Sequence, residues 1–107
     1  MAQDPTRLIW IDMEMSGLNP ETDRVLEVAI VITDQQLNTV AEAPVLVVHQ
    51  SDDVLAAMDD WNTSTHTKSG LVERVKASRL TEREVDERMV AFLADYVPPG
   101  ISPLCGN

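Results

Sequence analysis

The chain has 107 residues, of which 44% are hydrophobic, 4% are aromatic and 24% are charged. This composition excludes a disordered chain and a collagen-like fibre, and it predicts a single domain over residues 1–107 with an aliphatic core. The chain contains one cysteine, Cys105, which excludes an internal disulfide and a cysteine-rich zinc site.

The charge is strongly negative: 18 acidic residues against eight basic ones give a net charge of −10. Such a chain is not drawn to phosphate backbones by long-range attraction. Either the surface is simply well solvated, or some carboxylates bind metal ions. No apolar run approaches the roughly 18 residues of a membrane span, and the first residues do not resemble a signal peptide. These features predict a soluble, cytoplasmic protein without membrane contact.

Three apolar segments in the first half of the chain predict strands. The first, Leu8–Ile11, is apolar on both faces, which favours a central strand. The second runs over Val25–Ile32, broken only by Glu27, and the third over Val45–Val48. Short connections, with a turn over residues 34–38, predict a mainly antiparallel meander.

The second half of the chain is helical in pattern. Short helices are expected near residues 54–58 and 71–75, and over Thr63–Lys68 with Thr63 or Ser64 as its cap. The clearest helix covers about residues 81–97. Its first turn has the capping-box pair Thr81 and Glu84, and five apolar residues share one face: Val85, Met89, Phe92, Leu93 and Tyr96. A returning strand beginning near Pro103 completes an α/β or α+β pattern.

Two acidic residues follow the first apolar segment. Asp12 and Glu14 are two positions apart, so on an extended strand they project from the same face as Leu8 and Trp10. Adjacent carboxylates repel unless a cation compensates them, and Mg²⁺ or Mn²⁺ is the natural partner of carboxylate oxygens. The alternative interpretation is a pair of solvated acids at the end of a strand. Trp10 is expected in the core, and Glu27 is expected to be a paired structural acid.

The surroundings of this pair are more specific than the pair itself. The sequence D-M-E-M-S-G-L-N-P after a hydrophobic strand resembles the first motif of the DEDD superfamily of 3′→5′ exonucleases. The stretches M-D-D-W-N, T-H-T-K-S-G-L-V-E-R-V-K-A-S and S-P-L-C-G-N are similar to the oligoribonuclease family. The resemblance covers nearly all of the chain.

The resemblance implies a ribonuclease H-like α/β fold, with a mixed sheet and flanking helices. It implies a 3′→5′ exoribonuclease that degrades short single-stranded RNA, of about two to five nucleotides, to mononucleotides by two-metal hydrolysis. Asp12 and Glu14 match the first two acids of the DEDD set and are the implied catalytic residues and ligands of two divalent cations, Mg²⁺ or Mn²⁺. The family also implies a homodimer of the full-length protein.

The resemblance further implies a set of substrate contacts. Leu18 and Trp61 match the hydrophobic wall on which a terminal base stacks, and His66 matches a substrate-contacting residue. The backbone from Met15 to Gly17 is expected to approach the 3′-terminal nucleotide, with Gly17 there for its unusual dihedral angles. The alternatives are a core role for Trp61, a surface or capped histidine of a short polar helix at His66, and an ordinary turn at Gly17.

The match stops before the later part of the family pattern. The last two acids, the catalytic histidine and the tyrosine of the phosphate pocket have no counterparts in these residues. The chain is therefore expected to be the N-terminal portion of an exonuclease domain, truncated after the first part of the fold and inactive alone. The first strand, Leu8 to Asp12, is expected to have a neighbour in the later part of the fold, so its edge is expected to be partly open and prone to self-association.

Two other functions stay open from the sequence. A DEDD exonuclease that trims DNA shares the fold, although T-H-T-K-S-G-L-V-E-R-V argues against it, and turnover on short and long substrates separates the two. A non-catalytic module that binds short RNA or a metal ion belongs to another class, and a metal titration tests it.

Overall fold

The computed structural model describes residues 3–19, 21–100 and 104–106. The strands are β1 (Leu8–Met15), β2 (Val25–Thr33), β3 (Thr39–Glu42), β4 (Leu46–Val47) and β5 (Leu104–Gly106). The helices are α1 (Asp52–Ala56), α2 (Asp60–Lys68), α3 (Leu71–Ala77) and α4 (Glu82–Ala94). None of the helices in these ranges is long and apolar enough to cross a membrane.

The strands form one mixed sheet in the order β3-β2-β1-β5, and β4 also pairs with β2. β1 pairs with β5 in parallel, whereas the other pairings are antiparallel. A parallel pair needs a long crossover, and here the connection contains all four helices. The predicted α/β class, a ribonuclease H-like mixed sheet with flanking helices, is confirmed.

β1 lies in the centre of the sheet, as its two apolar faces predict. It continues to Met15, three residues beyond the expected Leu8 to Asp12, so both acids belong to the strand itself. On the side away from β2, Ile9–Ile11 pair with β5 of the same chain, and among the described residues the rest of this edge has no strand partner. The edge is therefore partly open, as expected. The predicted start of β5 at Pro103 lies outside the described residues.

The outer edge of β2 differs most from the predicted meander. The expected strand Val45–Val48 is reduced to Leu46–Val47, and the unpredicted β3 precedes it. Both segments pair with β2, β3 opposite Val31–Thr33 and β4 opposite residues 27–28. Pro44 lies between them and has no backbone N–H for a continuous ladder.

Two hydrophobic clusters hold the helices to the sheet. We name the first the α4 cluster; its buried members are Ile9, Val28, Ile30, Ile32, Val48, Val85, Met89 and Val97. We name the second the α1–α3 cluster; its buried members are Leu26, Leu55, Met58, Leu71 and Val75. The predicted apolar face of α4 and its capping box are confirmed, although the helix ends at Ala94. Trp10, expected in the core, is only half-buried.

A β-bulge at Leu26 places two neighbouring residues of β2 in different clusters. Glu14 pairs with Glu27 and Met15 with Val25, so Leu26 has no partner in β1. The extra residue interrupts the alternation of side chains. Val25 therefore packs against the α4 cluster, whereas Leu26 is fully buried in the α1–α3 cluster.

The turn between β2 and β3 contains a strained residue. Leu37 has φ of 68°, a left-handed conformation that costs a residue with a Cβ atom about 1–2 kcal/mol. Its side chain is 62% exposed and contributes little burial. The turn is otherwise well held, because the Asp34 carboxylate accepts backbone hydrogen bonds from Gln36 and Asn38, both at 2.9 Å.

We expect Leu37→Asn to raise the free energy of unfolding by about 0.5–1 kcal/mol, because asparagine adopts this conformation more readily. Urea denaturation measures the change. Gln36→Asn, one residue earlier and without a positive φ, is the matched control and is expected to have no stabilising effect. A Leu37→Asn protein no more stable than the parent would contradict the assignment of strain.

Candidate active site

The two acids of β1 lie side by side on an exposed face of the sheet. Asp12 is opposite Ala29 and Glu14 is opposite Glu27 in the β1–β2 ladder, and both carboxylates are exposed. The Glu27 carboxylate lies 3.5 Å from the Arg74 guanidinium, which confirms the expected pairing of that acid. Within the described ranges, the carboxylates of Asp12 and Glu14 have no hydrogen-bond or ion-pair partner.

These two carboxylates suit part of a divalent-metal site. They supply hard oxygen donors, they are open to solvent, and no cationic side chain of the described residues neutralises them. However, the described part of the chain contains no group of three or more histidine, cysteine, aspartate or glutamate residues placed to enclose a metal ion. Asp12 and Glu14 therefore fit as a portion of a metal site and do not complete one.

A pocket of about 550 Å³ opens between the end of β1, the turn that follows it and α2. Six of the seven predicted site residues line it: Glu14, Met15, Gly17, Leu18, Trp61 and His66. Asp12 is not among the lining residues. Three further lining residues were not predicted from the sequence: Met13, Asp59 and Asn62.

Two large apolar side chains stand exposed at this pocket. Trp61 is 70% exposed and Leu18 is 99% exposed, although hydrophobic side chains of this size are usually covered. The alternative interpretation of Trp61 as a core residue was therefore wrong. The arrangement offers a flat aromatic surface and an aliphatic one to a ligand.

His66 is buried, with 3% of its surface exposed, so its interpretation as a surface histidine was wrong. Its Nε2 lies 2.9 Å from the carbonyl oxygen of Met15. A carbonyl only accepts hydrogen bonds, so Nε2 carries the proton and donates. This bond ties α2 to the end of β1, next to Glu14.

The turn after β1 is built around the Asp23 carboxylate. It accepts hydrogen bonds from the Ser16 hydroxyl at 3.2 Å and from the Asn19 backbone N–H at 2.8 Å. A Cβ atom added at Gly17 would lie 2.7 Å from the Asp23 Cγ, closer than van der Waals contact allows. Gly17 has no positive φ, so the expectation that a glycine is needed here for unusual dihedral angles was wrong. Glycine at this position leaves room for the Asp23 carboxylate.

We expect Gly17→Ala to lower the free energy of unfolding by about 1–3 kcal/mol, because the methyl group forces the Asp23 carboxylate out of its hydrogen bonds. Chemical denaturation measures this cost. In an Asp23→Ala background the same substitution is expected to cost much less, since the obstructing group is gone. Equal costs in the two backgrounds would contradict the steric explanation.

Helix α2 forms the wall opposite the strand. It begins at Asp60 with Asp59 as its N-cap, whose carboxylate accepts from the Asn62 backbone N–H at 2.8 Å. The caps expected at Thr63 or Ser64 were wrong, and the helix starts three residues earlier than expected. The earlier start places both Trp61 and Asn62 within the first turn of the helix.

Comparison with known proteins agrees with this geometry. The family model described as an exonuclease matches residues 9–107 of the chain. The chain belongs to the exonuclease family. Exonucleases of this family generally use divalent metal ions, which suits the uncompensated carboxylates of Asp12 and Glu14.

This exonuclease chain is also similar to proteins named oligoribonuclease. It is 68% identical over all 107 residues to one from Nitrosomonas europaea, 63% identical to one from Azoarcus sp. and 58% identical to one from Shewanella oneidensis. The chain spans 59% of the length of each of these relatives.

Proposed function

We propose that the protein containing this exonuclease chain is a 3′→5′ exoribonuclease that degrades short single-stranded RNA, of about two to five nucleotides, to mononucleotides. One observation carries the proposal: Glu14 and the exposed Trp61 line the same pocket of about 550 Å³. This volume is within the usual range for sites that bind small ligands. The names of the relatives support RNA as the substrate.

Each predicted residue has a role in this proposal. Asp12 and Glu14 hold two divalent ions, Mg²⁺ or Mn²⁺, together with carboxylates from the rest of the full-length protein. When bound, such ions activate a water molecule and stabilise the charge of the leaving oxygen. Trp61 and Leu18 stack the terminal base, a contact that tolerates every base because each has an aromatic face.

The other two contacts involve the strand end and α2. The backbone from Met15 to Gly17 lies against the 3′-terminal nucleotide, and its position is supported by the hydrogen bond from His66 to the Met15 carbonyl. His66 also lines the pocket and contacts the substrate there.

The net charge of −10 fits a small substrate better than a long one. An empty acidic site repels phosphate, and bound divalent ions reverse this repulsion locally. A short RNA offers few phosphates, so a broad basic surface adds little affinity. We further propose that the full-length protein is a cytoplasmic homodimer.

The 107-residue chain alone is proposed to be inactive, because two carboxylates cannot enclose two ions. The experiment compares this chain with the full-length protein on a diribonucleotide in Mn²⁺. Mononucleotides should form only with the full-length protein. Release of mononucleotides by the isolated chain would contradict its inactivity. A full-length protein that prefers a DNA of about twenty nucleotides to a diribonucleotide would contradict the proposed substrate.

A further inference from the structure

Helix α2 buries polar side chains where a helix normally buries apolar ones. Its two buried residues are Asn62 and His66, four positions apart and so on the same face of the helix. Polar groups are buried at a cost unless they are hydrogen-bonded, so a wholly polar buried face contributes little to packing. Both side chains line the pocket, and His66 is accounted for by its bond to Met15.

Asn62 has only part of its hydrogen-bonding capacity satisfied. It is 7% exposed, and its Nδ2 donates to the Asp59 carboxylate at 3.0 Å. A carboxylate only accepts, so the nitrogen must face Asp59 and the orientation of the amide is fixed. The Oδ1 atom then has no hydrogen-bond partner among the described residues.

No buried side-chain oxygen or nitrogen of the described residues lacks a partner, so this Oδ1 is reached by solvent. A ligand that fills the pocket displaces that solvent and has to supply a donor in its place. A nucleotide stacked on Trp61 brings two kinds of donor, the ribose hydroxyls and the amines of some bases. An amine contact would make the site base-selective, which conflicts with a stacking surface that accepts any base. The 2′-hydroxyl is present in every ribonucleotide and absent from DNA.

We propose that the Asn62 Oδ1 accepts a hydrogen bond from the 2′-hydroxyl of the nucleotide stacked on Trp61, and so selects RNA over DNA. This inference rests on the proposed function and names the group that sets its sugar specificity. A deoxynucleotide in the same position displaces solvent from this oxygen without offering a hydroxyl in return, which is how a site built for a hydroxyl rejects an analogue that lacks it.

The test uses the full-length protein and two dinucleotides, one all-ribose and one with a 2′-deoxyribose at its 3′ end. The parent protein is expected to show a kcat/KM about tenfold or more higher for the all-ribose substrate. Asn62→Ala is expected to lower kcat/KM for the all-ribose substrate by about tenfold and to leave the deoxy substrate within about twofold, so the ratio falls towards one.

A second variant keeps the inference testable if Asn62→Ala unfolds the helix. Asp59→Ser retains an N-cap oxygen but removes the carboxylate that orients the amide, so the sugar ratio should fall part of the way. Thr65→Ala, at an exposed position of α2 outside the pocket, is the matched control and should leave the ratio unchanged.

Three results separate the possibilities. Equal losses on both substrates in folded Asn62→Ala, or a loss that depends on the base, would overturn the inference and leave the proposed function standing. A parent protein that cleaves both substrates equally would also overturn it. Failure of the parent to cleave any diribonucleotide would overturn the proposed function, and the inference with it.

Discussion

Asp12→Asn in the full-length protein is expected to lower kcat for diribonucleotide hydrolysis by at least about 100-fold in saturating Mn²⁺. The substitution removes an anionic oxygen that would help to hold the catalytic ions, and a misplaced or missing ion costs several kcal/mol of transition-state stabilisation. Glu14→Gln is expected to have an effect of the same order. Initial rates of mononucleotide release measure both, and a Mn²⁺ titration should show weaker binding.

The fold should survive both substitutions. Neither carboxylate has a partner in the part of the chain that the structure describes, and Glu14 lies directly opposite Glu27, an arrangement in which like charges destabilise a sheet. Glu14→Gln should therefore leave the free energy of unfolding unchanged or slightly higher. Glu42→Gln, an exposed acid of β3, is the control and should keep full activity. Near-normal rates in Asp12→Asn would show that this pair is only a solvated strand end.

Trp61→Ala is expected to raise the Kd for a short oligoribonucleotide by about 5- to 150-fold, the equivalent of 1–3 kcal/mol for the loss of one stacked base. The ring is 70% exposed, so the free energy of unfolding should change little. Titration with a non-hydrolysable RNA analogue measures the affinity apart from catalysis. Trp61→Phe keeps an aromatic face and should recover most of the binding.

Val90→Ala is the matched control for this experiment. Val90 is 58% exposed on α4 and does not line the pocket beside Glu14, so its loss should leave RNA affinity unchanged. An equal effect of the two substitutions would show that Trp61 acts through general surface hydrophobicity. An unchanged Kd in Trp61→Ala would show that the Trp61 ring does not stack on a base of the RNA.

The parts of the fold with strong periodicity could be predicted from the sequence. β2 and the apolar face of α4 are long enough for their burial to follow from spacing alone. β3 was missed because Thr39–Glu42 is short and half-exposed, and pairing with β2, not local preference, makes it a strand. The start of α2 was missed because the helix has no apolar stripe to mark it.

The site was predictable through family resemblance more than through local pattern. Asp12 and Glu14 carry a recognisable spacing, but nothing near His66 indicates that it bonds Met15, which is 51 residues away in the chain. The steric need at Gly17 likewise depends on Asp23 folding back over it. Asn62 was not predicted because an asparagine beside a tryptophan is ordinary in sequence, and only the structure shows its low exposure and the bond to Asp59 that orients its amide.

The bulge at Leu26 determines how the fold responds to the deletion of one residue from β2. Deleting this residue would make the β1–β2 ladder regular, a change that strand pairing alone accepts without cost. Yet it would also take from the α1–α3 cluster a side chain that is fully buried. Helix α2 packs on α3, so the wall that carries Trp61 would lose its support. We therefore expect deletion of Leu26 to disturb the pocket first, although β2 contributes no residue to the pocket lining.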